Sequence, residues 1–150
     1  MSINSITVAA TPDEVFDVLD DVCAYPGWVV GAREIQSVDP SWPAPGSAFR
    51  HELGVENATL HDSSEVVARR RPAFLDLEVH FRPMGVARVV MRVHEVDGGS
   101  RITMEETPVA GPVRWLPWIV AEPLLHVRNL LSLQRLRHEV ESRLPYRPVE

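Results

Sequence analysis

His51, Asp62 and Glu106 are the side chains whose types could move protons, and His126 and Asn129 are polar groups that a helix could bring to meet them. A histidine with a carboxylate in hydrogen-bond reach is the simplest general acid–base pair, because the carboxylate orients the ring that accepts the proton. As a general base His51 would need a partner carboxylate within reach, and Asp62 or Glu106 could serve if the strand register brings one of them to it. Each of these residues also has a structural reading. His51 would then be a strand histidine bonded to backbone or water, Glu106 a wet residue where its strand leaves the sheet before Pro108, and His126 and Asn129 partners of loop backbone. No nucleophile elbow, phosphate-cradling glycine loop or dinucleotide fingerprint accompanies them, so no motif holds them together.

The elements that must position these groups are legible from periodicity. Residues 3–9 read as a strand, followed by Thr11-Pro12-Asp13-Glu14, which supplies an N-cap, a proline at the first helical position and a capping-box glutamate. Val15, Leu19 and Val22 continue with helical spacing, and that helix should stop before Tyr25-Pro26-Gly27-Trp28. From residue 33 the period becomes two, predicting strands over 33–38, 47–53, 59–69, 73–82, 87–96 and 101–107. Gly111-Pro112 closes this run. After a proline-broken stretch, an amphipathic helix is expected over residues 123–143, with Leu133, Leu136 and Val140 on one face together with His126 and Asn129.

Strands joined by short turns should pair as antiparallel hairpins, which makes the faces computable. The Gly98-Gly99 turn is expected to set Val96 opposite Arg101, His94 opposite Thr103 and Arg92 opposite Glu105 on a polar face. The other face then carries Val89, Met91 and Val93 against Ile102, Met104 and Glu106, with Leu75, Leu77, Val79 and Phe81 from the preceding strand. Upstream, Asp62, Ser64, Val66 and Ala68 point inward, as do Phe49, His51 and Leu53; a bulge in residues 59–69 would turn Asp62 outward. An unpaired carboxylate beside Met91 and Met104 is costly to bury, so Glu106 needs a partner or a place near an opening. Polar residues on an apolar inward face predict a cavity large enough for a small molecule. Phe49, Leu77, Val79, Met91 and Met104 are its expected walls, and Asp62, His51, Glu106, His126 and Asn129 its polar contacts. Arg128 falls on the outward side, toward an acidic neighbour or solvent. Trp28, Trp42, Trp115 and Trp118 lie in proline-rich segments and are expected to anchor loops, the last two also being candidates for a gate.

Composition narrows the function further. The 150 residues fit one domain over 1–150 with a single core. A formal charge of −6 argues against nucleic acid, which requires a concentrated basic face, and Arg69-Arg70-Arg71 reads as a solvated strand end. Cys23 is alone, which fits a reducing compartment, and the N-terminus has neither the charge nor the apolar run of a signal peptide. A cytoplasmic protein without stable membrane insertion is expected. No metal site or cofactor is expected either, since His51, His61, His80, His94 and His138 are scattered.

The order strand, two short helices, six antiparallel strands and a long C-terminal helix resembles the helix-grip fold of the START-like (SRPBCC) superfamily, an α+β architecture whose sheet of about seven strands wraps the last helix. The chain looks most like small bacterial polyketide cyclase/dehydrase-like proteins. The stretches that carry the resemblance are residues 8–16, Tyr25-Pro26-Gly27-Trp28, Trp42-Pro43-Ala44-Pro45-Gly46-Ser47, Phe49-Arg50-His51, and Arg128-Asn129 with Leu133 and Leu136. The resemblance implies a deep cavity for a hydrophobic or amphipathic small molecule, and no particular reaction. Binding, carriage or sensing of such a ligand is the leading expectation. The rivals are a cyclase or dehydratase using His51 or Glu106, and an interaction protein whose cavity is filled by its own side chains. Oligomeric state is left open by the sequence.

Overall fold

In the computed structural model, which describes residues 1–55 and 58–145, each predicted strand forms. They are β1 (Ser2–Val8), β2 (Ala32–Val38), β3 (Ala48–Val55), β4 (Ala58–Arg70), β5 (Phe74–Phe81), β6 (Gly85–Val96) and β7 (Gly99–Ala110). All neighbours are antiparallel, in the order β1-β7-β6-β5-β4-β3-β2, and the long helix α3 (Trp118–Ser142) packs against the inner face. This is the helix-grip arrangement. Between β1 and β2 lie α1 (Pro12–Leu19), a single 3-10 turn (Val22–Ala24) and α2 (Tyr25–Trp28).

The capping box forms as its residue types require: the Glu14 N–H donates to Thr11 Oγ1 at 3.2 Å, and the Thr11 N–H donates to Glu14 Oε1 at 3.0 Å. Tyr25-Pro26-Gly27-Trp28, expected to stop a helix, is itself a helical turn, because proline is tolerated in the first turn where its missing N–H has no partner to lose. That turn buries Tyr25 and Trp28.

The β6–β7 register differs from expectation by two residues. Val96 pairs with Gly99, His94 with Arg101 and Arg92 with Thr103, since the turn is tighter and Gly99 already belongs to the strand. A Cβ on Gly99 would collide with the Val8 carbonyl, so the close approach of β1 selects glycine there. A slip of two preserves the faces. Met91 therefore opposes Met104, Val93 opposes Ile102, and Val89 opposes Glu106 on the inner side. Arg92 and Glu105 still meet diagonally at 4.0 Å on the outer side.

The β4 strand does carry a bulge, at Val67, between the pairs Val66–Leu77 and Ala68–Asp76. It lies beyond Asp62, which stays inward with Ser64 and Val66, whereas Ala68 leaves the inner face and Arg69 takes its place opposite Leu75. Arg69 Nε then donates to Asp20 Oδ1 at 3.0 Å. Arg71 reaches Asp17 at 2.6 Å and Asp20 at 2.9 Å, with Asp13 further off at 3.4 Å. The arginine run is thus the clamp that fastens α1 to the sheet. It is not a solvated strand end.

The core lies between sheet and α3, where Leu133, Leu136 and Val140 are fully buried as their shared face requires. The helix begins earlier than expected, at Trp118, with Pro123 inside it. Truncating Leu133 to Ala should lower unfolding free energy by about 2–5 kcal/mol, while Gln134→Ala on the adjacent exposed position should change it by less than about 0.5 kcal/mol, as read by urea denaturation.

Candidate functional site

One backbone unit and one carboxylate fix how α3 sits over the sheet. Arg128 Nε donates to the Val30 carbonyl at 3.2 Å, and the Val30 N–H donates to Ser132 Oγ at 3.1 Å. Residues 128 and 132 are one helical turn apart, so both ends of the Val30 unit are gripped from one side of α3. Arg128 Nη1 also reaches Glu106 Oε2 at 3.5 Å and Asn129 Oδ1 at 3.4 Å. Glu106 therefore has the partner its burial demanded.

Beneath this clamp is a cavity of about 50 Å3. Phe49, Leu77, Val79, Met91 and Met104 form apolar walls as expected, joined by Leu19, Leu75 and Val89, while Glu106, Arg128, Asn129 and Ser132 make one polar side. Tyr25, Trp28 and Trp42 complete it; the sequence suggested only loop anchoring for the two tryptophans. Anchoring is real at Trp42, whose Nε1 donates to the Asp20 carbonyl at 2.9 Å. Trp115 is 84% exposed and anchors nothing, and the side chains of Leu53 and Trp118 lie outside the described set. The volume is a correction, since it suits a few waters, whereas sites for drug-sized ligands measure about 300–1,000 Å3.

His51 and Asp62 are buried and directly opposite one another across β3 and β4, but they stand behind the cavity wall. The space is taken by Tyr25, whose ring centroid is 5.2 Å from that of His51 and 4.7 Å from that of Phe49. Neither residue orients the other through a hydrogen bond: among the described residues, His51 Nδ1 and both Asp62 carboxylate oxygens lack partners. His126 is a clear miss. It is exposed, in a groove with Met1, Ser2, Ile3, Ile119 and Val127, because the first half of α3 runs along the edge strand β1 rather than over the sheet centre. Arg128 is the opposite miss. Its Cα points away from the buried line, yet a long side chain with five donors reaches around to Glu106.

Burial sets the proton affinities. Desolvation raises the Asp62 carboxyl from 3.8 to about 7, only partly offset by the Arg82 backbone, which forms no well-aligned hydrogen bond, and by the Arg128 charge. Desolvation lowers His51 from 6.5 to about 4, and Arg128 adds to this, so the ring is neutral at pH 7. Burial also raises Tyr25; Ser64 lies near enough to its phenol to offset part of the rise, without ideal geometry. Trp28 Nε1 and Asn129 Nδ2 are further buried donors without partners. Among the described residues, no three His, Cys, Asp or Glu side chains cluster as a metal site, and no helix is long and apolar enough to cross a membrane.

A curved antiparallel sheet gripping a C-terminal helix over an apolar cavity with one polar side is the architecture of the helix-grip class. The chain belongs to the polyketide cyclase/dehydrase and lipid transport family, whose model matches residues 4–141. Uncharacterized proteins of Mycobacterium tuberculosis and Mycobacterium bovis are 29% identical to it over 144 residues, covering 93% of this chain and 84% of theirs. A conserved protein from Geobacillus kaustophilus superposes with a TM-score of 0.76 at 15% identity, covering 93% of this chain and 94% of that one. The protein Ara h 8.0201 superposes at 0.72 and 16% identity, covering 93% and 96%. At such identities the structural likeness establishes the fold alone.

Two buried groups with opposite shifts predict the pH profile of stability. Unfolded Asp62 ionises near 3.8 but the folded carboxyl holds its proton to about 7, so its contribution is complete below pH 3.8 and is lost as pH rises toward 7. Unfolded His51 takes a proton near 6.5 but the folded ring resists until about 4, so its contribution is present above pH 6.5 and is lost as pH falls toward 4. Asp62→Asn should therefore stabilise the protein by about 2–4 kcal/mol at pH 8 and by little at pH 4, in urea titrations at the two pH values. An equal effect at both would mean that Asp62 is solvated in the fold.

Proposed function

We propose that this protein binds an amphipathic small molecule whose apolar body lies against Phe49, Leu77, Val79, Met91 and Met104 and whose polar end meets Arg128, Asn129 and Trp28. The observation that carries this reading is the convergence of unpartnered buried polar atoms, Trp28 Nε1 and Asn129 Nδ2, on an apolar cavity. Buried polar groups normally find partners, and leaving one unmade costs about 1–3 kcal/mol. Both of these atoms are donors, and the nearby Arg128 is a cation, so the matching group on the ligand is an acceptor: a carbonyl or a carboxylate. Loading requires the cavity to widen. The adaptable walls, Met91 and Met104, and the four-residue α2 that carries Tyr25 and Trp28 are the parts that favour this.

A second reading, a cyclase or dehydratase, is favoured by one observation: Asp62 holds its proton to about pH 7, which suits a general acid working near neutrality. Against it, Asp62 has no orienting partner and stands behind Tyr25 rather than on the cavity wall. His51 is equally unoriented, and Glu106 is engaged by Arg128.

Titration with anilinonaphthalene sulfonate should give saturable fluorescence that long-chain carboxylates displace. Asn129→Leu and Trp28→Phe should each weaken carboxylate binding about 5- to 150-fold, the range for losing one buried polar partner, with far-UV circular dichroism unchanged. Equal affinity in both variants would sink the assignment of the polar end. Conversion of a bound polyketide-like compound that Asp62→Asn abolishes without loss of affinity would install the enzyme reading instead.

A further inference from the structure

The first half of α3 is patterned the wrong way round for a surface helix. At 100° per residue, Val120, Leu124, Val127 and Leu131 occupy the side opposite the buried line of Asn129, Leu133, Leu136 and Val140, with Pro123 at its margin and Ile119 and Leu130 on the flank. Val120 is 66% exposed, Leu124 72% and Val127 54%. From Gln134 onward the same outer side turns polar, with Arg135 and His138. Trp115 and Leu116 extend the apolar patch just ahead of the helix. These exposed side chains form one apolar stripe along the helix, the kind of surface that marks an interaction site.

We infer that this face of α3 is a homodimer interface, in which Val120, Leu124, Val127 and Leu131 of one chain interleave with the same residues of a second copy running antiparallel. Their spacing of four, three and four residues is the heptad seam that seats one helix against another. A two-fold axis requires a self-complementary patch, and antiparallel pairing sets Val120 against Leu131 and Leu124 against Val127. Each layer then holds one valine and one leucine, so no layer is over- or underfilled. Charge separates this occupant from a lipid surface. Helices that lie in a membrane interface carry Lys or Arg along their polar flank. Here Glu122 and His126 flank the patch on the β1 side, Arg128 is turned inward to Glu106, the exposed Arg114 and Arg135 stand beyond its two ends rather than along it, and the chain's formal charge of −6 repels anionic lipid.

Sedimentation velocity of the full chain from about 1 to 100 µM should report a dimer, and the Leu124→Glu, Val127→Glu double variant should sediment as a monomer, its association weakened at least about 100-fold for two carboxylates buried in the seam. Both positions are exposed in the single chain, so circular dichroism and dye binding to the interior should not change. In a Cys23→Ser background, which removes the exposed native thiol, Leu124→Cys with Val127→Cys should cross-link as a dimer on mild oxidation. A wild-type chain that stays monomeric at 100 µM overturns the inference, as does a dimer that survives both glutamates. Flotation of a monomeric wild type with phosphatidylcholine vesicles, lost in the double variant, would assign the face to lipid.

Discussion

The rotation of α3 about its own axis is the constraint on which the rest of this structure depends. A carboxylate on the inner face of β7 requires a cation, and Arg128 supplies it at 3.5 Å while gripping the Val30 unit together with Ser132. That clamp holds Asn129 and Ser132 over the cavity and places Leu133, Leu136 and Val140 in the core. It also turns Val120, Leu124 and Val127 outward. A half-turn of the helix would bury that apolar stripe but would leave Glu106 uncompensated and pull Asn129 off the cavity. The same half-turn would expose Leu133, Leu136 and Val140, so the apolar surfaces exchange roughly evenly and the carboxylate left without its cation decides against it.

The sheet was legible because period two over six segments leaves few alternatives, and because an error of two residues in the β6–β7 register does not move a side chain to the other face. The bulge at Val67 was not legible. It reflects the pull of Asp20 and Asp17 on Arg69 and Arg71 across some fifty residues, which no local pattern announces. The start of α3 escaped for a related reason: its first half is apolar on the outside and its second half on the inside, so one amphipathic template fits only the part beyond Pro123. Placing His126 with Asn129 assumed that the whole helix faces the sheet in the same way. The signal for Arg128 was present in the demand Glu106 made for a partner.

The interior combines a largely apolar wall with donors that have no partner among the described residues. Such a combination is poor for stability and useful for recognition, since apolar walls supply affinity and a few polar groups fix orientation. Tyr25 is central to it. Its ring packs on Trp28, Phe49 and His51, and it separates the cavity from the buried His51–Asp62 pair. Movement of α2 would thus enlarge the cavity and bring those two groups to its wall in a single step, which is why the binding and enzymatic readings share one site.

The central claim is that the interior, and not the outer apolar face, receives the ligand. Nitrogen-15 NMR of the tryptophan indoles reads this directly, because Trp28 is buried at the cavity and Trp115 is exposed beyond it. Saturation with a long-chain carboxylate should shift the Trp28 indole N–H downfield and slow its exchange with solvent, leaving Trp115 unmoved. A Trp28 signal that does not respond while Trp115 does would contradict the account.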